Sequence, residues 1–197
     1  MAVHYRTLLI NSIFGAARAI GAGRDTKENE VAYDVHSVSE LKGLLRALVA
    51  DNTSFDAAVF STHGNKGIIH FDGDPLPWWK IYEQFLTDKI DYSRLFPRNN
   101  ARILFGGCNV AEDDNGWKFL LAAARTFLGY GGEAIGWTSV GFAVPFGLRD
   151  GHIVHLWGDT RQVRNMGGHS FRFYENWKLI ESGGVPQVPS GVANAFK

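Results

Sequence analysis

Short apolar runs alternate with amphipathic stretches over the first two thirds of the chain. Tyr5 to Ser12 (YRTLLINS) and Phe55 to Thr62 (FDAAVFST) are apolar and rich in strand formers, which predicts buried β-strands. Val31 to His36 (VAYDVH), Ala101 to Phe105 (ARILF) and Glu133 to Thr138 (EAIGWT) predict three more. Between them the period changes from two to nearly four. Leu41, Leu44, Leu45 and Leu48 fall at helical spacing, and Ser37 with Glu40 fits a capping box, so Val38 to Ala50 is expected to be a helix. Leu76 to Thr87 predicts a second helix, with Pro77 tolerated in its first turn. Asn115 to Leu128 predicts a third, apolar at Trp117, Leu120, Leu121, Ala124 and Leu128. Lys66 to Phe71, with Gly67 and Gly73, reads as a small hairpin.

Strands alternating with helices in this order argue for an α/β fold: a three-layer α/β/α sandwich around a mostly parallel sheet. One domain is expected over residues 1–181, followed by a tail, 182–197, whose Gly, Pro and Ser content predicts mobility. Ile13 to Glu30 has no clean period and reads as a long loop. The last third is less legible. His152 to Trp157 reads as a strand, and Phe171 to Glu181 as an aromatic-rich helix or strand.

Composition narrows the function classes. Lys plus Arg balances Asp plus Glu at 20 each, so nothing electrostatic favours nucleic acid or an anionic membrane. No apolar run approaches the roughly 20 residues of a membrane helix. The N-terminus has neither the basic start nor the apolar core of a signal peptide, so a cytoplasmic location is expected. The sequence holds 1 cysteine, which rules out an internal disulfide and a multi-cysteine metal site. A lone cysteine is usually an inert buried hydrophobe, and less often a nucleophile.

Its neighbours favour the second role. Sites in open α/β sheets form outside the carboxyl ends of the strands. His63 closes the third predicted strand and Cys108 the fourth, so parallel neighbouring strands would bring imidazole and thiol to one edge. Those two groups make a minimal base and nucleophile for acyl transfer. Gly64 can present an unobstructed amide, and the Cys108 amide faces the following helix. Together they form a candidate oxyanion hole, worth about 3–4 kcal/mol per donor in other enzymes. Gly106 and Gly107 would permit a tight, exposed turn.

A hydrophobic strand ending in His-Gly, then one ending in Gly-Cys, resembles the caspase-like (clan CD) cysteine peptidases. The likeness is greatest to a bacterial caspase-like domain with Ser-His-Gly followed by Tyr-Gly-Cys-Asn-Val-Ala. Here the segments read Ser61-Thr62-His63-Gly64 and Phe105-Gly106-Gly107-Cys108-Asn109-Val110-Ala111, with Gly116-Trp117 and Trp137-Thr138-Ser139 in later matching places. The resemblance covers about residues 5 to 145. It implies a cysteine endopeptidase with Cys108 as nucleophile, His63 as general acid or base, and Gly64 and Cys108 as oxyanion donors. It further implies a groove wall at Trp137, Ser139 and Phe142, with core packing the equal alternative for Trp137 and Phe142, and a specificity pocket shaped by the loop that carries Arg18 and Arg24. The expected partner is a protein or peptide substrate, with no cofactor; a regulatory protein partner or an activator such as Ca²⁺ is left open. Two departures stand out: Thr62 is inserted before His63, and the glycine before Cys108 is doubled. There is no long acidic linker after the Cys helix, so caspase-style maturation by cutting one is not expected.

Other reactive residues weigh less. His152 and His155, three apart, would face opposite sides of a strand and chelate a metal only on a helix, so no metal is expected. Asp72, Asp74, Asp113 and Asp114 are expected as solvated loop carboxylates, with pairing to a basic substrate as the sharper alternative. Trp78, Trp79, Tyr82 and Phe85 at helical spacing are expected to pack. Two other functions compete: a catalytically silent caspase-like scaffold, and an amidase or transferase using the same dyad.

Overall fold

The computed structural model describes residues 6–12, 29–139, 142–143, 156–168 and 170–180. Strand β1 (Thr7–Asn11), β2 (Glu30–Asp34), β3 (Ala57–Ser61), β7 (Arg102–Phe105) and β8 (Gly132–Trp137) form a parallel set in the order β2-β1-β3-β7-β8. Every pairing within it is parallel, and Phe60 stands opposite Phe105 across β3 and β7. The sheet then continues antiparallel through β11 (Thr160–Asn165), β12 (Phe171–Glu175) and β13 (Lys178–Leu179), giving eight strands. The chain is therefore mixed α/β around a large, mostly parallel sheet.

Helix α1 (Val38–Ala50) has the expected bounds, and Ser37 accepts from the Glu40 amide at 3.1 Å. Glu40 reaches back one residue further than a standard capping box, accepting from the His36 amide at 2.7 Å. The 76–87 stretch differs from its expectation. Leu76 and Pro77 belong to a strand, and the helix is a short α2 (Trp78–Ile81) running into a π-helical turn, Tyr82–Leu86. The reason is pairing: β6 (Asp74–Pro77) lies antiparallel to β5 (Ile68–Phe71), with Ile68 opposite Pro77. A strand β4 (His63–Asn65) joins on the other side, so the expected hairpin is a three-stranded meander that begins at His63 itself. A 3₁₀ turn (Tyr92–Leu95) and helix α3 (Asp113–Phe127) complete this layer.

The crossovers from β2 to β3, β3 to β7 and β7 to β8 all step the same way along the sheet, so right-handed connection puts their helices on one face. Packing agrees: α1 touches the 3₁₀ turn, which touches α3, which touches α2. The expected second helical layer has no helix among the described residues. Helix α3 buries ten residues, including Trp117, Phe119 and Leu120. Phe119 meets Phe105 edge to face at 4.9 Å, and Phe105 stacks on Phe60 at 4.9 Å. Those rings fix the ends of β3 and β7 against the helical layer.

Phe171 to Glu181, expected as helix or strand, is strand at β12 and β13. Strand β11 was not anticipated. The 13–28 stretch expected as a loop and the 182–197 tail lie outside the described residues, as does most of His152 to Trp157, of which β10 (Leu156–Trp157) pairs with β9 (Phe142–Ala143). No helix among the described residues is long and apolar enough to cross a membrane.

Candidate active site

The two strand ends singled out in the sequence are parallel neighbours. Beyond β7, the Gly106 amide still donates to Phe60 O at 2.8 Å, which carries the ladder to the last residues before the turn. There the exits meet. A Cβ on Gly107 would lie 2.8 Å from Gly64 N and 3.0 Å from the His63 carbonyl carbon; one on Gly64 would lie 2.9 Å from Cys108 O. Only glycine permits backbones to approach this closely. His63-Gly64 and Gly107-Cys108 are thus in direct contact.

His63 is exposed and Cys108 half-buried, with its thiol free of any disulfide. Among the described residues the Cys108 amide donates no backbone hydrogen bond. The turn that follows is held from several sides. Asn109, at φ 57°, donates to Ser139 O at 3.0 Å, and the Ala111 amide donates to Trp137 O at 2.8 Å. Val110 O accepts from the Gly67 amide at 3.0 Å, docking the β4–β5 turn onto the loop. Lys66 Nζ adds ion pairs to Glu112 at 3.2 Å and Asp113 at 3.0 Å. From β11, Arg161 Nη1 donates to Ala111 O at 3.0 Å and Asp113 O at 2.9 Å, with its guanidinium over the Trp117 ring. Val110 and Ala111 are fully buried. A loop gripped in this way presents Cys108 in one geometry.

Three buried polar atoms lie along the same edge without a hydrogen-bond partner among the described residues. They are Thr62 Oγ1 after β3, Asn109 Oδ1 after Cys108, and Trp137 Nε1 at the end of β8. An unsatisfied buried polar group costs roughly 1–3 kcal/mol.

Asp114 is exposed, and the other three carboxylates singled out are engaged, Asp113 by Lys66. Asp72 accepts from Ser12 Oγ at 2.9 Å and sits 2.6 Å from His36 Nδ1, so the β5–β6 turn is pinned over the ends of β1 and β2. Asp74 accepts from the Val38 amide at 2.8 Å and from Lys80 Nζ at 3.3 Å. These two are fasteners of the meander rather than free solvated groups.

Of the expected groove residues, Trp137 has no exposed surface, so its ring packs inside and forms no open wall. Ser139 is half-buried and contributes its carbonyl to the Cys108 turn. Phe142 lies in β9 opposite Trp157. Arg18, Arg24, His152 and His155 lie outside the described residues. Among the described residues no group of three His, Cys, Asp or Glu side chains is placed to hold a metal ion. A cleft of about 330 Å³ bordered by Phe85, Asp91, Arg125 and Tyr130 lies at the other end of α3. The 15 residues of α3 make it about 22 Å long, so that cleft is remote from Cys108.

Two residues of the site carried no sequence signal. Arg161 sits in the unanticipated β11. His70 is paired across β4 and β5 with His63. Its pKa is lowered, first by burial and then by the nearby charge of His63, so it stays neutral at pH 7. The chain matches no family model, and no curated protein is significantly similar to it.

Proposed function

We propose that this chain is a cysteine endopeptidase of caspase-like type, built as a caspase-like three-layer domain. The observation that carries the reading is the backbone contact between His63-Gly64 and Gly107-Cys108 at the carboxyl ends of adjacent parallel strands. It supports a thiol and an imidazole sharing one edge, with two glycine-flanked amides beside them.

The reaction follows from those groups. Cys108 Sγ gives its proton to His63, and the thiolate attacks the scissile carbonyl. The oxyanion of the tetrahedral intermediate takes hydrogen bonds from the Gly64 and Cys108 amides. As the C–N bond breaks, His63 returns the proton to the leaving amine and a thioester remains. Water, deprotonated by His63, attacks the thioester; the C–S bond breaks and the acid product leaves. A glycine-clamped turn suits this sequence because effective acyl transfer needs the nucleophile in place before substrate arrives.

The test is a peptide-library cleavage assay comparing wild type with Cys108→Ala. Cleavage by wild type and none by the variant, at equal thermal stability, is expected. Equal cleavage by both would refute the proposal.

A further inference from the structure

His63 and His70 stand directly opposite each other in the antiparallel β4–β5 pair. Opposed residues share a face, with Cβ atoms about 4.5–5.5 Å apart. Burial along β5 fixes which face it is: Ile69 and Phe71 are fully buried beneath the meander, while Ile68 and His70 lie half-buried on the His63 side. The strand register therefore sets the two imidazoles side by side on one face.

The charged groups on each neighbouring element are engaged: in the β4–β5 turn, Lys66 pairs with Glu112 and Asp113 at the start of α3. On β6, Pro75 stands opposite His70, and Asp74 beside it is held by the Val38 amide and Lys80. In the β5–β6 turn, Asp72 is held by Ser12 and His36. Lys80 of α2 also donates to Pro75 O at 3.0 Å. Beyond β7 stands Cys108, on the opposite flank of His63-Gly64. A base that must alternate between neutral and protonated forms therefore has an imidazole, not a carboxylate, across the strand.

We infer that His70 is a positioning residue for His63: its imidazole accepts a hydrogen bond from the His63 ring nitrogen that faces away from Cys108. This rests on the dyad reading above. When Cys108 passes its proton to His63, the imidazolium has two N–H groups. One stays with the sulfur and the other donates to His70, which keeps its own proton count unchanged. The bond fixes the ring orientation and the tautomer. Acidification that protonates His70 removes the acceptor and sets a like charge beside the imidazolium.

The test is the pH profile of Cys108 alkylation by iodoacetamide, with each variant's fold checked by circular dichroism and thermal melting. Activation of the thiol by His63 gives wild type a reactive shoulder at the acid end of the alkylation profile. His63→Ala should lose the shoulder. His70→Phe should lower it about tenfold, the effect of removing one hydrogen bond to a charged group. His70→Gln, which keeps a neutral acceptor, should restore most of it. If His70→Phe superposes on wild type while His63→Ala loses the shoulder, the inference fails and the dyad stands. If Gln and Phe fall equally, the role is packing and the inference fails. If wild type has no shoulder, or His63→Ala keeps it, the dyad reading itself falls and takes the inference with it. Wild-type ring ¹⁵N shifts give a check that needs no variant: His63 in one fixed tautomer is expected, and a tautomer average would overturn the inference.

Discussion

Gly64 and Gly107 pack backbone to backbone, so that a Cβ on Gly107 would fall 2.7 Å from Gly64 Cα, and one on Gly64 2.8 Å from Gly107 Cα. Two strand exits that close are a single unit, and the residues after each glycine are placed by the other. The doubled glycine acquires a reason: Gly107 makes the contact, and a Cβ on Gly106 would press to 3.0 Å from Phe60 O.

Gly107→Ala forces backbone against backbone with no flexible side chain to yield. It should cost about 1–3 kcal/mol, the range for overpacking. At this chain length that is a melting-point fall of about 2–12 °C. Cleavage should fall further than stability, by about 100-fold, because a shift of about 1 Å at the nucleophile suffices. Differential scanning fluorimetry and peptide cleavage on the same sample check both.

Arg161→Ala should loosen the Cys108 turn from a distance. The guanidinium bonds to Ala111 O and Asp113 O disappear, leaving Ala111 O buried, at a cost of about 1.5–3 kcal/mol. Lysine, unable to bridge two carbonyls in one fork, should recover only part. Chemical denaturation gives the stability change, and the Cys108 alkylation rate reports whether the turn itself has moved. An unchanged rate would place Arg161 outside the site's support.

Acid should weaken the fold through His70. Its folded pKa lies below its unfolded value of 6.5, so below that pH the unfolded chain binds the extra proton. The contribution is complete above pH 6.5 and is lost as pH falls from there through the folded pKa. His70→Gln should flatten this part of the stability curve, measured by urea titrations at a series of pH values. A curve of unchanged slope would contradict the burial of His70.

Alkali should act through Tyr82 and Tyr92. Burial is the first cause in each case, and both phenols are pushed up to about 12. Stability they contribute is intact below the unfolded pKa of about 10 and is lost as pH rises through about 12. Tyr82→Phe should reduce the alkaline loss in a thermal-melt series, and an unaltered loss would show that Tyr82 ionises freely.

Much of this was legible from the sequence because period and burial coincide. The leucines of α1 and the aromatic and alanine face of α3 repeat at helical spacing and are buried where they repeat. Runs such as Thr7–Asn11 and Ala57–Ser61 are apolar because they lie inside the sheet. Strand β11 was hidden because three of its four buried positions, Thr160, Gln162 and Asn165, are polar: Asn165 satisfies itself by donating to Leu128 O at 2.7 Å, so hydropathy misreads it. The helical reading of Leu76 and Pro77 yielded to pairing with β5. The His63–His70 relation depends on meander register, which no local pattern encodes. The position of Trp137 fitted groove and core equally, and a ring without exposed surface belongs to the core.

The most direct measurement is covalent capture of Cys108 by a pool of peptidyl acyloxymethyl ketones, read by mass spectrometry on native protein. One adduct, on Cys108, is predicted, with a rate at least about 100-fold lower in His63→Ala, the range expected for loss of a general acid–base. Equal rates in the two proteins, or labelling only after denaturation, would contradict the dyad.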